Sequence, residues 1–354
     1  MTSGGQQHIW VTRLLDRVSD HAFDAPILMG FLTLGVVPIL LTVAFLGLIG
    51  GASPQFLIAH LLAATVPVLG VPGIWYWDRR VYPRFVDQTA ELAVDVAALR
   101  SSAREYKATF AQRWWPFTAF WTLLVVAIIG LNLPYFETIG VTGPADPAFL
   151  VYLLFAAWWG VITGIGFHGA ITAIRAIRAV GNHDLDIDPL TPDGLGGLSN
   201  VGTLAIWTTT LISIGSLTLP LAFLLAAEGG FRSLIYVAVG LYVVVIGLSF
   251  VYPTIYVNRR AQAVREDELE ERRAKIRRLQ EKAADVESVA DGDDDASMED
   301  LATRLEIQRL REEYTAYANV NLYPLSIGIV VRLVSSLLLP IFFILVEKYM
   351  GAIV

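Results

Sequence analysis

The fold of this chain is decided by the stretch that begins with Tyr256-Val-Asn-Arg-Arg260, continues through the acidic turn Asp291-Gly-Asp-Asp-Asp295 and ends in the apolar run around Ile327-Gly-Ile-Val-Val-Arg-Leu-Val-Ser-Ser336. Apolar side chains recur every 3 or 4 residues on both sides of the acidic turn, which is typical of helices that pack along one seam. The members of this seam are Leu269, Ile276, Leu279, Ile307, Leu310, Tyr314 and Tyr317. Residues 258–321 are therefore predicted to form a charged helical hairpin that leads directly into an apolar segment at 322–354.

Long apolar runs indicate the class of protein. The chain has 354 residues, 55% of them hydrophobic, and a helix that crosses a membrane needs about 20 apolar residues. We therefore expect an all-α, polytopic membrane protein with seven transmembrane helices. The predicted spans are residues 26–49, 55–77, 114–136, 148–172, 202–227, 233–257 and 322–346.

The placement of basic residues predicts the orientation. Segments 1–25, 78–113, 173–201 and 258–321 contain 2, 7, 2 and 12 of the 26 lysines and arginines. Because cations are retained on the cytoplasmic side of a membrane, these four segments are predicted to be cytoplasmic. The protein is then a multi-pass protein of the cell membrane, with its amino terminus in the cytoplasm and its carboxyl terminus outside. The 78–113 segment has a helical seam of its own and is predicted to form one cytoplasmic helix. The simplest arrangement is a small bundle with the hairpin, in which this helix docks either within the protomer or against a neighbouring subunit.

The composition also disfavours several function classes. The chain has no cysteine, so disulfides, thiolate metal sites and cysteine nucleophiles are excluded. A net charge of −7 disfavours nucleic acid as a partner. The sequence contains no His-Glu-x-x-His and no Gly-x-Ser-x-Gly motif. We therefore expect no catalytic residues, no metal centre and no cofactor, and the protein is predicted not to be an enzyme.

Arg332 is the basic residue that the sequence places inside a span. It lies about ten residues into the last one, near mid-depth, where an arginine costs about 2.5 kcal/mol or more unless it is paired or solvated. Gly328, Arg332 and Ser335 or Ser336 share one helical stripe, and Thr209, Ser213 and Ser216 form another on the fifth span. Hydroxyl stripes suit the lining of a pore. The alternatives are that Arg332 extends to the lipid headgroups and that the hydroxyls bond between helices.

Two further patterns give candidate sites. Ala156, Gly160 and Gly164 follow each other at four-residue intervals, a spacing that lets helix backbones touch. The 173–201 connection contains Asp184, Asp186 and Asp188, which begin like a calcium-binding loop, and Asp193 in a Thr-Pro-Asp-Gly turn. The calcium pattern fails at its sixth and twelfth positions, which are Pro189 and Leu195. This loop is either a cation or regulatory site or a rigid elbow before the fifth span.

Seven spans, a cytoplasmic amino terminus, short outer connections and cytoplasmic helical extensions resemble the seven-transmembrane ion channel superfamily typified by insect odorant and gustatory receptors. The likeness is one of topology. It implies a homo-oligomer of four subunits that join through a cytoplasmic anchor. It also implies that the seventh spans surround the pore, which would make Gly328, Arg332, Ser335 and Ser336 pore-lining. The implied partners are the lipid bilayer and a small ion or small-molecule ligand.

Two other classes fit the same sequence. Tyr76-Trp-Asp-Arg-Arg80 ends the second span much as Tyr256-Val-Asn-Arg-Arg260 ends the sixth. This internal echo suggests three spans, one linker span and three more, an arrangement found in solute transporters built from parallel repeats. The third class is a non-conducting membrane scaffold that signals through its cytoplasmic helices.

Overall fold

A computed structural model of the protein describes residues 7–21, 25–185, 198–229, 232–289 and 294–319, together with residues 338, 341 and 342. Within these ranges the chain is helical, and its extended pairing is a single antiparallel bridge between Ala93 and Leu185. The all-α prediction is therefore confirmed for the part of the chain that the structure describes.

The described part of the chain contains the following helices, given in chain order. The first seven are α1 (Trp10–His21), α2 (Pro26–Leu32), α3 (Val36–Leu48), α4 (Pro54–Tyr76), α5 (Tyr82–Ala90), α6 (Val96–Gln112) and α7 (Trp114–Leu131). The others are α8 (Leu133–Thr138), α9 (Pro147–Asn182), α10 (Ser199–Ile214), α11 (Leu219–Gly229), α12 (Arg232–Val289) and α13 (Asp294–Asn319). A π-helical turn, Trp77–Val81, joins α4 to α5, and a short 3₁₀ helix, Gly215–Thr218, joins α10 to α11.

Five continuous helical segments of the described chain are long and apolar enough to cross a membrane. They are Pro26–Leu48, Pro54–Ala90, Trp114–Leu131, Pro147–Asn182 and Ser199–Ala226, and they coincide with the first five predicted spans. The sixth predicted span, 233–257, forms the first part of α12. The seventh, 322–346, lies outside the described residues except at 338, 341 and 342.

Helix α9 is the central element of the fold. It is 36 residues long and contacts α3, α4, α6, α7, α10 and α12. Asp146 begins it, since its side chain accepts a hydrogen bond of 2.8 Å from the backbone N–H of Ala148, and Pro147 occupies the first turn, where a missing N–H costs nothing. One face of α9 is rich in Ala and Gly, so its neighbours can approach closely.

The connections of the helices gather at two opposite ends. At one end His8 contacts Asp78, Val94 N–H donates to the carbonyl of Asp184 at 3.0 Å, and the Tyr256 hydroxyl donates to Asn182 at 2.6 Å. Ala261 of α12 is buried in the same core as Ile9, Ala93 and Leu198. The four segments predicted to be cytoplasmic therefore all contribute to this end, called the inner end below. At the other end a cluster of aromatic rings from α3, α4, α8 and α9 packs beneath the 50–54 and 139–146 connections.

The 78–113 segment differs from its prediction as a single helix. Its first residues continue α4 through the π-helical turn into α5, and a turn at 91–95 separates α5 from α6. Asp95 starts α6 anew, because its carboxylate accepts a hydrogen bond of 2.9 Å from the Ala98 N–H. The Ala93–Leu185 bridge fastens this turn to the end of α9.

Helices α12 and α13 form the predicted hairpin. Arg273 donates to the Tyr314 hydroxyl at 2.6 Å, and the Arg272 guanidinium lies 4.0 Å from the centre of the Tyr317 ring and 3.8 Å from Glu313. Ile307 is buried between the arms. Cation–π and ion-pair contacts of this kind hold the two arms in one register.

Candidate functional site

A cluster of ionisable side chains lies inside the inner end, where α4 passes into the π-helical turn. It consists of His8, Asp16, Asp78, Arg79 and Lys107 and is called the inner charge cluster. A π-helical turn adds a residue to the helix and so redirects the side chains that follow, and such turns are frequent at functional sites. Here the turn carries Asp78, whose side chain is fully buried.

Asp78 and Lys107 form the buried core of this cluster. The Lys107 ammonium donates to the backbone carbonyl of Asp78 at 2.9 Å and lies 3.4 Å from its carboxylate Oδ1. Burial lowers the pKa of Lys107, and the attraction of the Asp78 carboxylate opposes that change. Each charge is therefore tolerated in the interior because the other is present.

His8 connects this pair to the surface. Its Nδ1 lies 3.1 Å from Asp78 Oδ2, and its Nε2 lies 3.0 Å from Arg79 Nη1. A guanidinium can only donate, so Nε2 must accept, and the proton of the neutral ring lies on Nδ1 and points to Asp78. Arg79 also pairs with Asp16 at 3.2 Å, and Asp16 accepts from the Trp75 indole at 2.8 Å.

The cluster therefore fastens α1, α4 and α6 together through charge. Among the described residues no group of three or more His, Asp or Glu side chains could hold a metal ion. The chemistry that the cluster offers is ion pairing and hydrogen bonding, which suits a structural joint.

Two adjoining apolar cavities lie between α4, α7, α9, α11 and α12, away from the cluster. Their volumes are about 250 and 330 Å³. Trp121, Trp159, Thr218 and Ala222 line both of them. The Trp159 indole N–H and the Thr218 hydroxyl have no hydrogen-bond partner among the described residues. These cavities suit apolar molecules or lipid chains, and the Trp159 indole N–H and the Thr218 hydroxyl could each form a hydrogen bond with such a ligand.

A chain of hydrogen bonds runs through the aromatic cluster at the outer end. Thr42 donates its hydroxyl proton to the carbonyl of Pro38 at 2.7 Å, so the His60 Nε2–H must donate to Thr42 Oγ1 at 2.8 Å. The Tyr152 hydroxyl then donates to His60 Nδ1 at 3.3 Å. Both ring nitrogens of this fully buried histidine are satisfied, so it joins α3, α4 and α9 as a structural residue.

The hydroxyl stripe of the fifth span is buried. Ser213 donates to the Thr209 carbonyl at 2.8 Å and Ser216 donates to the Ser213 carbonyl at 2.6 Å, so both bond to their own helix. The Thr209 hydroxyl has no hydrogen-bond partner among the described residues. None of the three lines either large cavity.

The small residues of the fourth span lie against α7. A Cβ atom at Gly160 would lie 2.8 Å from the Thr122 Cα, and one at Gly164 would lie 3.1 Å from the Thr118 Cα. Ala156 is buried one turn earlier. The backbones of α7 and α9 thus touch along this face.

Other predicted positions lie mostly outside the described part. Asp184 is exposed, and its backbone carbonyl accepts from Val94. Asp186, Asp188 and Asp193 lie outside the described residues, and so do Gly328, Arg332, Ser335 and Ser336. Their proposed roles in a cation or regulatory loop and in a pore stay predictions.

The inner charge cluster was not predicted, although two signals for it exist. Asp78 is an acid embedded in the aromatic end of an apolar run, and its counterpart in the internal echo, Asn258, is buried as well. Lys107 follows Leu99 and Ala103 at helical spacing on the buried face of α6. A cation on a buried face requires an anion to meet it.

Comparisons of the chain with protein-family models, with curated proteins and with solved structures find no match.

Proposed function

We propose that this is a multi-pass membrane protein that acts as a homo-oligomeric ion channel, with its amino terminus in the cytoplasm and its last span lining the pore. The observation that carries the proposal is the continuity of α12. This helix has 58 residues, which at a rise of about 1.5 Å per residue gives a length of about 87 Å. It combines the sixth predicted span and the first arm of the hairpin in one element.

Continuity gives the hairpin a mechanical role. Helix α13 runs back over 26 residues and ends at Asn319, three residues before the predicted seventh span. A displacement of the hairpin, by a ligand or a partner, would therefore act on the sixth and seventh spans together. That is the connection that a gate in the last span requires.

The grouping of connections supports the proposed orientation. The segments rich in lysine and arginine meet at the inner end, where Trp75 donates to Asp16 of the charge cluster and Tyr76 packs against Trp207. Aromatic side chains of this kind favour the membrane interface. The tetrameric state comes from the resemblance to the insect receptor superfamily and is proposed on that ground.

Conductance in reconstituted bilayers tests this function. We expect unitary currents from the purified oligomer and a changed ion selectivity in the Arg332→Gln variant, because a fixed charge in a pore repels cations. The matched control is Arg311→Gln, which removes an exposed charge from α13 and should leave selectivity unchanged. Absence of currents from a folded oligomer would refute the channel.

A transporter of an apolar solute is the second candidate, and the two adjoining cavities favour it. Their combined volume is in the range of small-molecule sites. Saturable counterflow by a monomer without unitary currents would support this candidate. A protein that shows neither activity would fit the signalling scaffold.

A further inference from the structure

A polar groove lies on the outside of the inner end, between α4, α5 and α10. Its volume is about 240 Å³. Tyr76 and Trp207 form one wall, and Arg84, Gln88, Asn200 and Thr203 supply its polar groups. We call it the Arg84 groove. It is separate from the inner charge cluster, because it shares none of that cluster's five residues.

The charge of the groove suits an anion. Arg84 is exposed and has no ion-pair or hydrogen-bond partner among the described residues, whereas Arg79 of the neighbouring turn is paired with Asp16. No Asp or Glu of the described chain lines the groove. An arginine fork beside amide and hydroxyl groups is the arrangement that recognises phosphate oxygens.

The walls of the groove suit an amphiphile. The Tyr76 and Trp207 rings lie 5.0 Å apart, and 39% of Trp207 remains exposed. The buried floor is formed by Val81, Phe85 and Leu204. Tyrosine and tryptophan side chains prefer the boundary between headgroups and hydrocarbon.

The groove also opens toward apolar surface. One turn above Tyr76, α4 and α10 touch, since a Cβ atom at Gly73 would lie 2.8 Å from Leu211 Cδ2. This contact closes the groove on the side of the helix bundle. Leu69, two turns above Tyr76 on α4, is exposed on the surface, so an acyl chain could lie along α4 while its headgroup occupies the groove.

We propose that the Arg84 groove binds the phosphate headgroup of an anionic membrane lipid. This inference rests on the membrane location in the proposed function, and it is independent of whether the protein conducts ions. The groups that recognise the headgroup are the Arg84 guanidinium and the side-chain amides of Gln88 and Asn200. Trp207 and Tyr76 flank the glycerol backbone.

Native mass spectrometry of the full chain in detergent tests the proposal with phosphatidylglycerol, phosphatidylcholine and inorganic phosphate as separate probes. We expect the protein to retain phosphatidylglycerol in preference to phosphatidylcholine. Arg84→Gln should weaken the binding of phosphatidylglycerol about tenfold, because a charge-assisted hydrogen bond is lost. The control Arg104→Gln removes an exposed charge from α6 and should leave binding unchanged.

Three results would overturn the proposal. Equal loss of lipid in both variants would show attraction to general positive charge. Binding of inorganic phosphate that depends on Arg84 and displaces phosphatidylglycerol would show a site for the free anion. A second variant, Trp207→Ala, should weaken the binding of phosphatidylglycerol without affecting the thermal unfolding of the protein. Currents from a protein that binds no lipid would refute this site and leave the channel standing.

Discussion

At the scale of single residues, Asp78 and Lys107 show how the interior of the bundle holds charge. Asp78 receives a hydrogen bond from His8 and one of 3.3 Å from the Ile9 N–H, in addition to its contact with Lys107. A buried pair of this kind contributes little net stability when it replaces an apolar pair of the same shape. Removal of one partner is costly, because the other charge is left buried and unpaired.

The Lys107→Met substitution is expected to lower the free energy of unfolding by about 3–5 kcal/mol, since the Asp78 carboxylate loses its counter-charge. The double variant Asp78→Asn, Lys107→Met should recover a large part of this loss. Unfolding in mixed micelles, followed by circular dichroism, measures both. Arg104→Met, at an exposed site of the same helix, should change stability by less than about 0.5 kcal/mol. Equal losses of stability in Lys107→Met and Arg104→Met would contradict the pairing of Lys107 with Asp78 in the interior.

The hydrogen-bond chain of Thr42, His60 and Tyr152 marks a limit of sequence reasoning at this scale. No spacing in the sequence around His60 indicates its hydrogen-bond partners. The hydroxyls that satisfy it lie 18 and 92 residues away along the chain. Their proximity depends on how α3, α4 and α9 pack, and no local periodicity carries that information.

At the scale of elements, apolar length located the first five spans, because the cost of unsatisfied backbone in a bilayer makes that signal strong. The 78–113 segment was harder. Its predicted seam runs from Leu92 to Phe110, which is the turn at 91–95 and α6, so this periodicity contains no signal for the separate helix α5. The signals for the break were local ones, Pro83 at the start of α5 and Asp95 as the cap of α6, together with a bridge to Leu185 that only the tertiary structure reveals.

The contact between α7 and α9 gives a prediction at the element scale. Gly160→Ala should destabilise the protein by about 1–3 kcal/mol, because the added methyl group meets the backbone of Thr122 and the helices must separate. Gly166→Ala on the same helix has nothing within 4 Å of the added atom. It should be neutral or stabilise by up to about 1 kcal/mol through helix propensity.

Thermal unfolding in detergent compares these two glycine variants directly. A midpoint for Gly160→Ala that equals that of Gly166→Ala would show that α7 does not rest on α9 at this position.

At the scale of the whole molecule, the connections between helices lie at two ends of different composition, a charged inner end and an aromatic outer end. The predicted series of spans implies this arrangement, because successive connections between antiparallel helices lie at alternate ends of the bundle. The sequence could not predict that α9 would be the central helix. Its contacts with six other elements depend on small residues that its partners must match in shape, and the spacing of those residues does not indicate which helix each of them faces.

The absence of cysteine makes the transmembrane arrangement directly testable, since an introduced cysteine is the only thiol in the chain. Ala145 and Ser101 are exposed in an outer and an inner connection, and Gln280 is exposed on the hairpin arm of α12. With an impermeant maleimide on intact cells, we expect Ala145→Cys to react and Ser101→Cys and Gln280→Cys to react only after lysis. Val354→Cys decides the number of spans. With seven spans Val354→Cys reacts from outside, whereas with six spans it reacts only after lysis, like Gln280→Cys. The second result would mean that the predicted last span does not cross the membrane and cannot line a pore. Reaction of Ser101→Cys from outside would show that the orientation is the opposite of the proposed one, and the hairpin would then not be cytoplasmic, as its proposed role requires.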